Sequence, residues 1–253
     1  MISKRIITMF LLKGKRLVKG TRFKDFIDVG DPVSQGMIYD AQGADEIVIV
    51  DIEASKNGHL INTAIITDMI SKCRLPIAAG GGIKTLSDAR KCFNSGADKI
   101  VINSQAAANS KLIKELAEEF GSQSVLVSID VRRNADNSWD VYTYSGERKI
   151  NTHLEDYIRQ AIDLGAGEIM ITSIDKEGTL EGFDFDLYKK IDDIVTVPLI
   201  ASGGAGSYDD MVSLFKGTNC DACALGKILF LRDFDIVRIK AYLEGRKVFI
   251  RES

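Results

Sequence analysis

Short apolar runs alternate with amphipathic stretches along the whole chain. Eight of these runs predict strands, near residues 5–11, 46–51, 76–80, 98–102, 125–130, 168–173, 198–202 and 221–225. Each run is followed by a segment with helical periodicity, such as INTAIITDMISKC at 61–73. Strands that are apolar throughout are typical of a sheet covered on both faces. Eight such units predict an α/β fold, a single (β/α)8 TIM barrel.

Two segments of the first half of the chain recur in the second half at the same spacing. They are PIAAGGGI at 76–83 with PLIASGGA at 198–205, and GADEIVIVDI at 43–52 with GAGEIMITSI at 165–174. Self-similarity at one spacing indicates an internal duplication. We therefore expect one barrel domain made of two duplicated half-barrels, about 1–122 and 123–253, with equivalent loops in each half.

Composition narrows the function classes. The 253 residues carry a formal net charge of −3, so the chain lacks the basic excess that nucleic-acid binding needs. No apolar run reaches the roughly 18–20 residues of a membrane span, and the N-terminus is a poor match to a signal peptide, so we expect a cytoplasmic protein without a membrane partner. With only His59 and His153 as histidines, we expect no metal site, and nothing indicates a cofactor.

Glycine-rich segments follow two of the predicted strands. They are GGG at 80–82 and GGAG at 203–206, directly before helices whose first turns begin near Thr85 and Ser207. In such barrels the loops at the carboxyl ends of the strands form the active site, and small residues at a helix start let backbone N–H groups approach an anion. A single glycine-rich loop is usually just a tight turn. Two in symmetric positions favour two phosphate cradles.

The tips of the next strands complete each cradle, with Asn103 and Ser104 in the first and Gly226 and Lys227 in the second. Two cradles at one barrel mouth predict a phosphorylated small molecule as substrate. Either it carries a phosphate at each end, or there are two phosphorylated moieties.

Charged residues stand at the other ends of four strands. Arg5, Glu46, Lys99 and Glu168 occupy strand starts, where side chains point into the bottom layer of a barrel. Charges of both signs should pair there, because an unpaired buried ion is costly. A purely structural ion ring and a ring that opens are both consistent with this pattern.

Two connections are unusually long. The segment 131–150 contains the alternating run SWDVYTYSG, which predicts a β-hairpin with Trp139 packed against it. The segment GKRLVKGTRFKD at 14–25 predicts a basic loop after the first strand. A solvated charge run is the usual explanation for such a loop. At a mouth with two anion cradles, a lid with Lys19 on a phosphate is the alternative.

Together these residues resemble the cyclase subunit of imidazole glycerol phosphate synthase, the HisF family of histidine biosynthesis. The matching motifs span essentially the whole chain. They are KRII at 4–7, VKG at 18–20, DP at 31–32, AGGGI at 79–83, GADK at 96–99, INS at 102–104, FGSQ at 120–123, TYSG at 143–146, GAGEI at 165–169, TSID at 172–175, GT at 178–179 and ASGGAG at 201–206.

The resemblance implies a heterodimer in which a HisH-like glutaminase subunit docks on the N-terminal face of the barrel. Ammonia then enters through a gate matched by Arg5, Glu46, Lys99 and Glu168. At the mouth it attacks a bis-phosphorylated ribulosyl carboxamide ribotide, which is cleaved and closed into an imidazole ring. The positions that match phosphate and substrate contacts are Lys19, Gly81, Gly82, Asn103, Ser104, Thr172, Asp175, Glu177, Gly178, Ser202, Gly203, Gly204, Gly226 and Lys227.

The family uses two aspartates as general acid and base, at the tips of strands one and five. The second matches Asp130, whereas the first falls on Leu11, which cannot transfer a proton. Two further departures are Glu177, where the family has aspartate, and Lys227, where it usually has serine.

This pattern favours a divergent HisF-like subunit that passes ammonia to an acceptor other than the histidine precursor. Amidation of a nucleotide sugar for surface polysaccharide is one such use. An alternative is a genuine cyclase in which Asp130, helped by Glu177, carries the proton transfers. An alternative of another class is a non-catalytic scaffold that activates the glutaminase. An isomerase of the related half-barrel family is less favoured, because that chemistry also needs a carboxylate at the position of Leu11.

Overall fold

The computed structural model describes residues 3–251 and contains one twelve-stranded sheet. The strands are β1 (Arg5–Lys13), β2 (Arg16–Thr21), β3 (Lys24–Gly30), β4 (Glu46–Asp51), β5 (Ile77–Gly80), β6 (Lys99–Ile102), β7 (Val125–Arg133), β8 (Trp139–Thr143), β9 (Arg148–His153), β10 (Glu168–Ser173), β11 (Leu199–Ser202) and β12 (Ala222–Leu225). Eight of them pair in parallel in the order β1, β4, β5, β6, β7, β10, β11 and β12, and β12 returns to β1. The predicted (β/α)8 barrel is confirmed.

Helices surround this barrel. They are α1 (Pro32–Ala41), α2 (Ala54–Asn57), α3 (Thr63–Ile70), α4 (Leu86–Asn94), α5 (Ser104–Ala108), α6 (Lys111–Phe120), α7 (Leu154–Asp163), α8 (Phe185–Ile191), α9 (Tyr208–Gly217), α10 (Lys227–Leu231) and α11 (Ile236–Gly245), with a 3-10 turn at Ser122–Ser124. In the described part of the chain, none of these helices has the length and apolar character needed to cross a membrane. The starts of α4 and α9 fall where the sequence predicts, because Thr85 and Ser207 each form a capping box with the acid three residues on.

The alternation of strand side chains sorts residues between two cores. The outer core lies between strands and helices and includes Ile6, Phe10 and Leu12 of β1. The inner core fills the barrel, and its members are Ile7, Val48, Ala78, Val101, Leu126, Met170, Ile200, Ala222 and Ala224. Since side chains two apart share a face, Arg5 and Leu11 point the same way as Ile7. The inward-facing positions of β1 therefore run from Arg5 at the bottom of the barrel to Leu11 at its mouth.

One connection differs from its prediction. The segment 14–25 is not a long loop, because β2 folds back on β1 and pairs with β3 in an antiparallel hairpin. Leu17 and Val18 are buried in it, and Lys19 is only 1% exposed. The many Lys and Arg residues of this segment interrupt the apolar alternation by which a strand is recognised in a sequence.

The second long connection is a hairpin, as predicted. β7 runs on past the barrel to Arg133 and pairs antiparallel with β8, which pairs with β9. Trp139 is buried, and its Nε1 donates a 3.0 Å hydrogen bond to Asp184 Oδ2. Packing is therefore the structural role of this tryptophan.

Candidate active site at the carboxyl ends of the strands

Two adjoining cavities open at the carboxyl ends of the barrel strands, where the sequence predicts a site. The first is lined, among other residues, by Leu11, Gly81, Gly82, Asn103, Ser104, Asp130, Thr172, Glu177 and Ser202. The second is lined by Lys19, Glu177, Gly178, Ser202, Gly203, Gly204, Gly226 and Lys227, with Met9, Leu180, Ala205 and Ala224. Because Met9, Glu177 and Ser202 line both, the two cavities share a wall.

The two glycine loops have matching backbone geometry. Gly81 and Gly82 have φ of +118° and +71°, and a side chain on Gly82 would place its Cβ 1.7 Å from the carbonyl oxygen of His59. Gly203 and Gly204 have φ of +92° and +107°. Each pair stands in one of the two cavities, just before a capped helix. Only glycine fits this combination of positive φ and close backbone approach. A phosphate at each loop stays a prediction.

Asp130 is the carboxylate at the tip of β7, and it is 8% exposed. Its Oδ2 accepts a 2.9 Å hydrogen bond from Asn103 Nδ2. Burial raises the pKa of Asp130 to about 7; the nearby Glu177 also raises this pKa, whereas the Asn103 bond lowers it. A group with a pKa near neutrality can both accept and donate a proton at working pH.

Leu11 stands across the mouth from Asp130. β1 and β7 are the first and fifth strands around the eight-stranded barrel, so their tips face each other. Leu11 is 8% exposed, lines the first cavity and pairs with Val50 of β4 and Val18 of β2. The mouth therefore presents a carboxylate on one side and an apolar side chain on the other.

Glu177 stands in the wall that the two cavities share, and the buried Lys19 lies on the side of the second cavity. Lys19 donates a hydrogen bond to the carbonyl oxygen of Met9, and burial lowers its pKa to about 8 despite the opposing charge of Glu177. Burial raises the pKa of Glu177, while Lys19, a hydrogen bond from the Phe23 N–H and Lys227 lower it. Glu177 Oε2 is buried without a hydrogen-bond partner among the described residues. An orphaned buried acceptor is costly, and a ligand that donates to it removes that cost.

Lys227 begins α10 at the second cavity, and its Nζ donates a 2.6 Å hydrogen bond to Thr21 Oγ1 of β2. Asp175, by contrast, lines neither cavity. Its Oδ2 accepts from the Arg133 N–H at 2.7 Å, and its carbonyl oxygen accepts from Arg22 Nε at 3.1 Å. The carboxylate of Asp175 thus holds the end of β7, and a contact of Asp175 with substrate stays a prediction.

The four charged residues at the strand starts meet at the bottom of the barrel, as the sequence predicts. Arg5 Nη1 lies 2.9 Å from Glu46 Oε2, and Arg5 Nη2 also bonds Glu168. Lys99 Nζ lies 2.9 Å from Glu46 Oε2 and 2.8 Å from Glu168 Oε2. The side chains form a closed ring of alternating charge. Its role as a gate stays a prediction.

Several cavity residues were missed by reasoning from the sequence. They are Phe23, Phe26, Asp51, Lys84, Tyr144 and Ser145. Tyr144 N–H donates to Ser104 Oγ at 2.9 Å, and Ser145 Oγ donates to the Ile52 carbonyl oxygen at 3.0 Å. These contacts bring the β8–β9 turn over the mouth, and the TYSG motif was the available signal. Within residues 3–251, no group of three or more His, Cys, Asp or Glu side chains is arranged to hold a metal ion.

Comparison of the sequence with known proteins identifies one family. The sequence profile of the histidine biosynthesis protein family matches residues 5–235. The chain is 42% identical to an imidazole glycerol phosphate synthase subunit HisF of Hydrogenobaculum sp. and 40% identical to that of Alkaliphilus metalliredigens. It is 38% identical to the subunit of Streptococcus mutans, and all three alignments cover 99% of this chain and 100% of the relative. This chain therefore belongs to the HisF family of the histidine biosynthesis proteins.

Proposed function

We propose that this chain is an enzyme subunit of a glutamine-dependent complex of the imidazole glycerol phosphate synthase type. A glutaminase subunit docks on the N-terminal face, and the ammonia it makes passes up the barrel to a phosphorylated acceptor at the mouth. The observation that carries this proposal is the alignment of the Arg5, Glu46, Lys99 and Glu168 ring with Asp130 on inward-facing positions of one barrel.

The ring supports a gate at the bottom. Each of its two cations bonds both carboxylates, so every charge is compensated while the ring is closed. Such a ring opens only if another group replaces one of these contacts, because an uncompensated buried ion is costly. A partner docked on this face supplies such groups.

The interior above the ring supports passage of neutral ammonia. Between ring and mouth the inner core is made of apolar side chains, among them Ile7, Val48 and Ala78. From Arg5 to Leu11 the strand advances about 20 Å at roughly 3.3 Å per residue. Crossing the apolar part of this column costs an ammonium ion far more than neutral ammonia. The column therefore favours the nucleophilic form.

Asp130 supports chemistry at the mouth. When the nitrogen of ammonia bonds an electrophilic carbon, that nitrogen becomes positively charged and must lose a proton. The Asp130 carboxylate accepts this proton, and its pKa of about 7 lets it release the proton again at neutral pH. The two glycine loops hold the phosphate groups that orient the acceptor.

Leu11 bears on which acceptor is used. A ring closure that also expels a leaving group needs one group to donate a proton where another accepts it. The resembling cyclases have aspartate at the position of Leu11. We propose that the nitrogen goes to an acceptor other than the histidine precursor, for which one general base is sufficient. A nucleotide sugar as that acceptor stays a prediction.

A second candidate is cyclisation of the histidine precursor itself, which the names of the relatives favour. Glu177 supports it, because this carboxylate lines the first cavity together with Asp130, and its Oε2 has no hydrogen-bond partner within residues 3–251. In that case Glu177 supplies the second acid–base group that Leu11 does not.

One assay separates the two candidates. The purified chain receives the bis-phosphorylated carboxamide ribotide, with ammonium chloride or with a HisH-type glutaminase and glutamine, and imidazole glycerol phosphate is measured. The first candidate expects no product from the unchanged chain and measurable product from Leu11→Asp. The second expects product from the unchanged chain and its loss in Glu177→Gln. Asp130→Asn serves as the inactive control in both cases.

A further inference from the structure

The two walls of the first cavity differ in chemistry. One wall comes from β1, the β2–β3 hairpin and β4. Its apolar side chains, which we name the apolar wall, are Met9, Leu11, Phe23, Phe26, Val50 and Ile52, the last directly after β4. Asp51, at the end of β4, also lines the cavity, and its Oδ1 already accepts hydrogen bonds from the Glu53 and Ala54 N–H groups. The facing side, from the later strands, carries Asn103, Asp130 and Thr172. The cavity is therefore amphipathic, with most of its apolar lining on the side of the early strands.

Leu11 joins the apolar wall to the first glycine loop. It pairs with Val50 of β4, and Val50 pairs with Gly80 of β5. Neighbouring strands lie about 4.8 Å apart, so the backbone of Leu11 is roughly 10 Å from the start of that loop. A phosphate held at Gly81 and Gly82 leaves space for one ring between itself and the Leu11 side chain.

The apolar wall selects against a hydroxylated group at this place. Its side chains offer no hydrogen-bond partner, so a sugar hydroxyl pressed against them loses its hydrogen bonds to water without replacement. A planar ring of low polarity has no strong hydrogen bonds to water that it would lose there. It covers apolar surface that is otherwise in contact with water, and the Phe23 and Phe26 rings offer stacked or edge contacts.

We infer that this site takes a phosphorylated compound with a planar apolar ring, whose ring lies against Leu11 while its phosphate occupies the loop of Gly81 and Gly82. Leu11 is then a specificity-determining residue rather than a merely lost acid. The inference rests on the proposed function for the phosphate at the glycine loop, and it adds the class of group attached to that phosphate. It argues against a nucleotide sugar as the acceptor, because the phosphates of a nucleotide sugar are bonded to hydroxylated sugars.

Two small probes with the same charge test the inference. Phenyl phosphate and methyl phosphate are titrated into the full chain by isothermal calorimetry, without a glutaminase. We expect phenyl phosphate to bind about tenfold more tightly, a difference of about 1.4 kcal/mol. The variants are Leu11→Asn, which is close in shape but polar, and Leu11→Met as the matched apolar control. Leu11→Asn should reduce the preference to twofold or less, and Leu11→Met should keep it.

A second variant tests the inference independently in case Leu11→Asn does not fold. Phe26 is partly exposed, and Phe26→Ala should lower the preference for phenyl phosphate while leaving methyl phosphate binding within twofold of the unchanged chain. Equal binding of the two probes by the unchanged chain overturns the inference but leaves the phosphate site intact. An unchanged preference in folded Leu11→Asn also overturns it. Failure to bind either probe overturns both the inference and the proposed phosphate site.

Discussion

Asn103 donates a hydrogen bond of 2.9 Å to Asp130 at the barrel mouth, between the ends of the neighbouring strands β6 and β7. The bond acts against the burial that raises the pKa of this carboxyl to about 7. It stabilises the ionised form, whereas burial and Glu177 favour the protonated form. This pair therefore sets the pH range over which Asp130 works as a base.

Asn103→Ala should raise the pKa of Asp130 above 7, by about one pH unit, because a hydrogen bond to an ionised group contributes roughly 1.5–3 kcal/mol. The titration can be followed by NMR of aspartate labelled with ¹³C at the carboxyl group, and the signal is assigned through its loss in Asp130→Asn. The exposed Asn109→Ala is the matched control and should leave the titration unchanged. A pKa that stays at about 7 or falls in Asn103→Ala contradicts this role for the amide.

Lys227→Ser should weaken binding of inorganic phosphate at the second cavity by about fivefold to tenfold. The Lys227 ammonium lines this cavity and is held there by Thr21 Oγ1, so its charge is close to any anion at Gly203 and Gly204. Calorimetric titration at two salt concentrations should also show a weaker salt dependence. Lys216→Ser, at an exposed position on α9, is the control. Equal phosphate affinity in both variants would exclude Lys227 from the anion site.

Trp139→Phe should lower the free energy of unfolding by about 2 kcal/mol. The substitution keeps an aromatic ring in the hairpin but removes the hydrogen bond to the buried Asp184 carboxylate. Chemical denaturation followed by circular dichroism measures the change. Tyr142→Phe, on the same strand, removes a hydroxyl from a partly exposed ring and should change stability by less than about 0.5 kcal/mol. A loss no larger than in this control would mean that the indole bond contributes little.

Features determined by local pattern could be predicted from the sequence. The eight barrel strands, the capped starts of α4 and α9 and the meeting of Arg5, Glu46, Lys99 and Glu168 follow from periodicity, cap residues and strand parity. These rules need only short stretches of sequence together with the barrel topology.

Features that depend on contacts between distant segments could not be predicted. The β2–β3 hairpin was obscured because its exposed charged residues dominate the pattern, although Leu17 and Val18 are buried. The hydrogen bond from the Arg133 N–H at the end of β7 to the Asp175 carboxylate also joins segments that are distant in sequence. The apolar wall was missed for the same reason, since Phe26 reaches the cavity only when the hairpin folds over the mouth.

Lys99→Met should destabilise the fold by about 3 kcal/mol, because it leaves the buried Glu46 and Glu168 carboxylates with Arg5 alone. Burial already raises the pKa of Glu46, and Lys99 opposes that rise. Without Lys99 the pKa of Glu46 in the folded state rises further, so this carboxyl stays protonated to higher pH. Stability therefore falls as pH rises, and the loss measured by denaturation should be larger at pH 8 than at pH 5. Adding Glu168→Gln to the Lys99→Met chain should recover part of the lost free energy of unfolding.

The exposed Lys114→Met is the control, and its loss of stability should be below about 0.5 kcal/mol. An equal loss at both pH values would contradict the coupling between Lys99 and these carboxylates.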